Sequence, residues 1–333
     1  MIVEFYKHNI SKTGINNVTS VLKSIFLTTG LKTEEFEREF AKIMKAKYAV
    51  GLSSCTDALF LSLKCLGVNK GDEVITTPLS FIATANAIEY TGAKPVFVDV
   101  DPETGNIAVE KIEKSITKKT KAILVVHLYG QMVNMQAISK IAKKHNLKVI
   151  EDSAHCIEGE YRGIKPGMLS DIACFSFYAT KNITSGEGGA IVTNNKKIHE
   201  WFLRARLHGM SKHAKDRYRK KFAHYDMEFL GYKANMTDIQ AALLLSQLPD
   251  LDENLEKKVK LAKLYEKLIS KNEEIKILHI SPEAKSARHL FTVLVPKKKR
   301  DYVISYLNSK GIGVAVNFRP IHLMSYYLSL IHI

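Results

Sequence analysis

The chain predicts an α/β protein: a mainly parallel, doubly wound sheet with helices on both faces, followed by a smaller α+β domain. Three observations predict this. Strand and helix patterns alternate through the first two thirds of the chain with short connections, the signature of right-handed βαβ crossovers. A length of 333 residues with 46% hydrophobic content is enough for one full core and a smaller attached domain. From about Leu251 the alternation gives way to a long charged helix, which sets the expected division at 1–250 and 251–333.

The elements follow in order. Phe36, Phe40 and Ile43 mark one helix face, KYAVGL (47–52) is a strand, and Asp57–Leu66 reads as a helix. EVITT, a helix over 83–90, KPVFVDV and a helix near 109–116 come next. KAILVVHL, a helix near 135–145 and KVIED precede SDIACFSF (170–177), a buried strand, and a further apolar strand opens after GEGG (186–189). Beyond the long helix, HLFTVLV (289–295) and 313–316 read as strands around another helix. No internal repeat or low-complexity linker interrupts the chain.

Composition narrows the function. No run approaches the ~18 apolar residues of a membrane span, and MIVEFYKHNISKTG has no signal-peptide core. A soluble, cytoplasmic protein with no membrane partner is expected. Cys55, Cys65, Cys156 and Cys174 show no CxxC pair or metal-ligand spacing, so neither a disulfide nor a zinc framework is expected. A formal charge of +15 raises nucleic-acid binding, but only nine of the 49 basic residues are arginine. The lysines are spread over solvated helix faces, which argues against a nucleic-acid partner. The basic, aromatic stretch HGMSKHAKDRYRKKFAHY (208–225) could still meet a local anionic substrate.

Three features fall where strands end, which is where ligands collect in such sheets. LSSCTDAL (52–59) breaks a strand into small hydroxyl residues at a helix start. It is either an N-cap by Ser54 or Thr56, or a phosphate cradle in which Ser54, Thr56 and Asp57 make the contacts. IEDSAH (150–155) puts Asp152 at the end of an apolar strand, where a carboxylate needs a cationic partner. That partner is a structural Arg or Lys, or a protonated ring nitrogen of a ligand. Lys181 lies between two apolar strands, after Ser176 and before GEGG. It is a snorkelling surface lysine, or an amine held in an apolar setting below its free pKa of ~10.4 so that it can form a Schiff base. Glycines behind it would let the backbone pass close to a flat ligand. A phosphate cradle, a ring-nitrogen carboxylate and a Schiff-base lysine together are what pyridoxal phosphate requires.

With these residues in place the chain resembles the DegT/StrS nucleotide-sugar aminotransferase group of fold type I pyridoxal-phosphate enzymes. The resemblance runs from FLTTGLKTEEFEREFAK through GDEVITTPLSFIATANAIEYTGAKPVFVDVDPETGNI, VHLYGQ, EDSAH, SFYATKNITSGEGGAIVTNN and GYKANMTDIQAALLLSQL to NFRPIHLMSYY. It implies Lys181 as the Schiff-base lysine, Asp152 at the pyridine nitrogen, His155 beside the ring and Phe81 stacked on the ring's other face. It also implies phosphate contacts from Thr56, Asp57 and Ser176, and from Asn235 of a neighbouring subunit. Some members carry that asparagine at the position of Lys233. A homodimer with shared active sites follows, with Tyr129, Arg319 and His322 near the substrate.

The implied reaction moves an amino group from an amino acid, glutamate by family habit, to a keto-sugar nucleotide in cell-surface polysaccharide biosynthesis. Because Lys181 is kept, transamination is implied rather than the dehydration run by a branch with histidine there. The 208–225 stretch and GYKANMTDI resemble members acting at C4 of UDP-linked 4-keto sugars. C3 amination of a dTDP-keto sugar is the rival, and a non-enzymatic binding or regulatory protein on the same fold is the alternative from another class. Family members continue well past the YY of HLMSYY, whereas Tyr326 and Tyr327 are followed here only by LSLIHI. A small domain cut short, or a naturally short member, is therefore expected.

Overall fold

The computed structural model describes residues 2–211 and 224–331, so most of the basic 208–225 stretch lies outside the described residues. The first strands are β1 Tyr48–Leu52, β2 Glu73–Thr76, β3 Lys94–Phe97, β4 Thr120–Val126 and β5 Lys148–Asp152. After the short β6 Glu160–Tyr161 come β7 Ile172–Ser176 and β8 Gly189–Thr193. All but β6 join one seven-stranded sheet in the order β1-β8-β7-β5-β4-β2-β3. The helices around it are α1 Lys12–Leu22, α2 Leu31–Ile43, α3 Cys55–Cys65, α4 Ala83–Glu89, α5 Val109–Ile112, α6 Met135–Lys144, α7 Lys196–Ala205 and α8 Asp238–Leu245.

The sheet is mainly parallel, as the alternation predicts. β3, β2, β4, β5 and β7 run the same way, and only β8 is antiparallel to its neighbours β7 and β1. This arrangement decides where the chemistry can be. Leu52 of β1 and Ser176 of β7 both pair with Gly189 of β8, and Asp152 pairs with Cys174 and with Val126. The carboxyl ends of β1, β5 and β7 therefore meet the start of β8 at one edge of the sheet.

Packing fixes that edge from below. Phe36 and Phe40, one turn apart on α2, stack at 5.3 Å, and both sit edge-on to Phe177 just beyond β7. Phe40 also meets Phe175 edge-on at 5.0 Å, and all four rings are fully buried. The N-terminus of α2 has no side-chain cap of its own at Gly30. Asp238, the first residue of α8, takes that place by accepting from the Gly30, Lys32 and Thr33 N–H groups at 2.8, 3.2 and 2.9 Å. A carboxylate there is favoured by the helix dipole. The buried Glu37–Arg206 ion pair then ties α2 to β1, since Glu37 accepts from Gly51 N–H at 2.8 Å and Arg206 donates to Gly51 C=O at 2.7 Å.

After residue 250 come α9 Leu251–Ile269, β9 Lys276–Ile277, β10 Ala284–Lys285, β11 Val293–Leu294, α10 Arg300–Ser309 and α11 Ser325–Ile331. The long charged helix is present as expected. HLFTVLV, however, yields only the two residues of β11, paired with β9, and 313–316 forms no strand. Among the described residues no third strand joins β9 and β11, and an isolated two-stranded pair is marginal in water. Residues 284–290 instead turn back over the main sheet. β10 pairs with β6, Ala287 N–H donates to Gly130 C=O at 2.9 Å, and His289 N–H donates to Tyr129 C=O at 3.2 Å. All four cysteines are free thiols. Among the described residues no helix is long and apolar enough to cross a membrane.

Candidate active site

Ser54 is the N-cap of α3. Its hydroxyl accepts from Asp57 N–H at 3.0 Å and donates to the Asp57 carboxylate at 2.7 Å, and Ser53 donates to the same oxygen at 2.6 Å. The N-cap reading is thus correct, and it does not exclude the cradle. Capping uses the Asp57 N–H, while Cys55 and Thr56 before it in the first turn line an open cavity along with Ser54. The first-turn N–H groups that the cap leaves free favour an anion. Gly189 holds the turn against the sheet: a Cβ there would lie 2.3 Å from the Ser54 carbonyl carbon. Of the GEGG glycines expected to let the backbone pass close to a ligand, Gly188 lines the cavity, whereas Gly189 makes room for backbone.

Asp152 ends β5 almost fully buried. Its carboxylate accepts from Thr84 Oγ1 at 2.8 Å and from Ala154 N–H at 3.2 Å. Burial raises its pKa, against the lowering effect of those two hydrogen bonds and of Lys181. It forms no ion pair among the described residues, so the structural-salt-bridge reading fails. Lys181 sits in the loop from β7 to β8, which is closed by Lys181 N–H to Tyr178 C=O at 2.9 Å and Phe177 N–H to Gly188 C=O at 2.9 Å. Burial lowers the pKa of its amine, opposed by Cys55 and Asp152. Asp152 and Lys181 thus face one cavity without pairing to each other, each pushed by desolvation toward its neutral form.

His155, three residues past Asp152, is buried in a stack of rings. It lies 4.3 Å from His289 at 21°, and its Nδ1 accepts from Tyr129 N–H at 3.3 Å. Burial, with His289 and Lys181 nearby, lowers its pKa well below the ordinary value, so the ring is neutral. Tyr129 adopts a left-handed φ of 54°, which aims that N–H. Burial pushes its own phenol up to about 12.

A cavity of about 480 Å³ opens over these groups. Of the residues expected from the sequence, Ser54, Thr56, Phe81, Asp152, His155, Ser176 and Lys181 line it. Asp57 sits behind the wall, holding Ser53 and Ser54. Asn235 is buried elsewhere, donating to Thr29 Oγ1 at 2.7 Å and Thr28 Oγ1 at 3.2 Å, and Lys233 is exposed. Tyr129 is not on the wall, although its hydroxyl donates to the carbonyl of Asn317, which is. Arg319 is exposed and donates to Leu323 C=O at 2.7 Å. His322 lies in the short helical turn Ile321–Leu323, so neither reaches the cavity. Asn317 and Phe318 are the members of that segment that do.

Sequence reasoning missed Thr84, His289 and Asn182. Thr84 stands within PLSFIATAN, three residues past Phe81, where a hydroxyl in the first turn of a helix could have been read as a carboxylate partner. His289 was hidden in an apolar run read as strand, and Asn182 by its neighbour Lys181.

The wall fits pyridoxal phosphate: an open helix N-terminus for the phosphate, a buried carboxylate without a protein cation for the ring nitrogen, and a desolvated amine for the aldehyde. Comparison with known proteins agrees. Residues 8–332 match the DegT/DnrJ/EryC1/StrS aminotransferase family. The spore coat polysaccharide biosynthesis protein SpsC of Bacillus subtilis is 42% identical over 96% of this chain and 83% of its own. The UDP-4-amino-4,6-dideoxy-N-acetyl-β-L-altrosamine transaminase of Campylobacter jejuni is 38% identical over 98% of this chain and 86% of its own. Spr1654 of Streptococcus pneumoniae, described as a sugar aminotransferase and solved in its PMP form, superposes with a TM-score of 0.93 at 31% identity, covering 98% of this chain and 88% of that one. The chain belongs to the DegT/DnrJ/EryC1/StrS aminotransferase family: it is a pyridoxal-phosphate-dependent sugar-nucleotide aminotransferase of fold type I.

Proposed function

From that membership we propose that the enzyme moves an amino group from glutamate to C4 of a UDP-linked 4-keto sugar, in cell-surface polysaccharide biosynthesis. The observation that carries the chemistry is the buried, cation-free Asp152 facing the same cavity as the Lys181 amine and the first turn of α3. Similarity to the Campylobacter transaminase, whose name carries a UDP-linked 4-amino sugar, supports the acceptor.

In this reading Ser54, Thr56 and Ser176 border the cofactor phosphate, while Asp57 accepts from the Ser53 and Ser54 hydroxyls behind it. Asp152 meets the ring nitrogen, and Phe81 and His155 flank the ring. Pyridoxal phosphate supplies an electrophilic carbon and a ring that accepts the electron pair released at the substrate carbon. The rest is done by side chains. The Lys181 amine, whose burial disfavours the ammonium, takes a proton from the donor's α-carbon and returns one, as base and then acid. Thr84 keeps the Asp152 carboxylate aimed and ionised.

Lys181 is the one lysine or arginine among the described residues lining the cavity. Two carboxylates of glutamate and a nucleotide diphosphate need more positive charge than that. This supports a homodimer in which a second copy completes the site, bringing Asn235 to the phosphate, while Tyr129, Arg319 and His322 border the sugar nucleotide. Residues 1–250 and 251–333 act as a cofactor domain and a substrate-covering domain.

The test offers the purified holoenzyme glutamate with a UDP-4-keto-6-deoxy-N-acetylhexosamine or, separately, a dTDP-3-keto-6-deoxyhexose. Product position is read by NMR. A 4-amino UDP-sugar is expected, and turnover confined to the 3-keto substrate would transfer the assignment to C3.

A further inference from the structure

Behind the cavity wall a chain of buried polar groups has no part in the chemistry derived so far. Glu158 is 4% exposed, and both of its carboxylate oxygens accept from the Asn182 amide nitrogen, at 2.8 and 2.7 Å. The same nitrogen donates to Ala287 C=O at 3.0 Å. Three acceptors around one atom fix which way the Asn182 amide faces. Its oxygen is therefore the atom that meets His289 Nδ1 at 3.2 Å. A carbonyl oxygen can only accept, so the proton of the neutral His289 ring is on Nδ1 and its Nε2 carries a lone pair.

His155 is set the opposite way. Tyr129 N–H donates to its Nδ1, so the neutral ring carries its proton on Nε2. The two rings are stacked at 4.3 Å and both line the cavity. With each Nδ1 committed to the protein, Nε2 is the only hydrogen-bonding atom either ring can offer a ligand. Neither Nε2 has a partner among the described residues. The wall beside Lys181 therefore presents a donor from His155 next to an acceptor from His289.

We propose that His289 is a substrate-positioning residue, locked by Asn182 and Glu158 so that its Nε2 lone pair accepts a hydrogen bond from a hydroxyl of the keto sugar. The proposal rests on the sugar-nucleotide reading of this cavity. A site built to accept from a hydroxyl discriminates strongly, because an unmet buried lone pair is costly. Asn182 and Glu158 act through His289 and touch no substrate.

Two measurements on the holoenzyme test this. His289→Phe keeps a ring on His155 and removes the lone pair. The half-reaction with the UDP-4-keto sugar is expected to lose about tenfold or more in kcat/KM, and the half-reaction with glutamate less than about threefold. Equal losses in both would overturn the proposal, leaving His289 as packing. Long-range 1H–15N correlation spectra of histidine-labelled enzyme should show His289 protonated on Nδ1, with that preference lost in Asn182→Ala. A wild-type His289 protonated on Nε2, or an Asn182→Ala spectrum unchanged from wild type, would overturn it whatever the activities. A wild-type enzyme that runs neither half-reaction would instead refute the reading of the site, and the spectra would still decide the state of His289.

Discussion

The two ends of this chain meet at the cavity but are built differently. In the central sheet every residue of β7 and β8 is buried, and the strands are packed on both faces. After residue 250, α10 buries no residue and α9 buries only Leu251, Leu255 and Ala262. Leu261, Leu264, Tyr265 and Leu268, a stripe at helical spacing on α9, are each at least 50% exposed. The groups that must hold a cofactor to a fraction of an ångström hang from the rigid half. The later half meets the main domain through residues 279–290 and 317–321 and through Tyr327, which packs on Phe97 of β3 and donates to Asn86. Burial is therefore concentrated in the sheet that carries Asp152 and Lys181, and the elements after residue 250 are expected to open at lower cost.

The largest effect that would sharpen this contrast comes from the rigid half. Asp152→Asn keeps the shape and the Thr84 hydrogen bond but removes the charge. Steady-state turnover should fall by about 10²–10³-fold, roughly 3–4 kcal/mol of barrier, with the melting temperature little changed. Full turnover in this variant would break the argument that the carboxylate tunes the ring. Next come two leucine truncations read by denaturant unfolding. Leu61→Ala, in a fully buried position of α3, should cost about 2–5 kcal/mol. Leu264→Ala on the exposed stripe should change stability by about 0.5 kcal/mol or less. Equal costs would show that the α9 stripe is covered in solution and that the contrast is false.

The smallest effect is a pH dependence. The Lys181 pKa is lowered in the fold, so between that lowered value and ~10.4 the unfolded chain binds a proton that the folded chain gives up. Stability of the cofactor-free protein then rises with pH through this window, and at neutral pH the buried amine is a cost. Apo Lys181→Met should melt at or above wild type at pH 7, and the difference should shrink as pH approaches 10. A gap that widens with pH would mean the amine is stabilised as a cation.

The same contrast explains what could be read from the sequence. The strands from Lys47 to Asn195 were legible because buried apolar runs alternate with helical periodicity. Asp152 and Lys181 were legible because a charge at the end of such a run demands a reason. The role of Gly189 was not, since the Ser54–Cys55 backbone it accommodates is some 135 residues away in the chain. HLFTVLV misled because β-propensity without a partner sheet does not make a strand. In NFRPIH the charged residues drew attention, whereas Asn317 and Phe318 face the cavity. Side-chain direction in an irregular segment has no sequence period to reveal it.

The central claim is that the desolvated amine of Lys181 is the one that bonds the cofactor. Borohydride reduction of the purified, cofactor-loaded protein, followed by peptide mass analysis, tests it most directly. The account predicts a pyridoxyl label on the peptide bearing Lys181. A label on any other lysine, or none at all in protein supplied with pyridoxal phosphate, would contradict it.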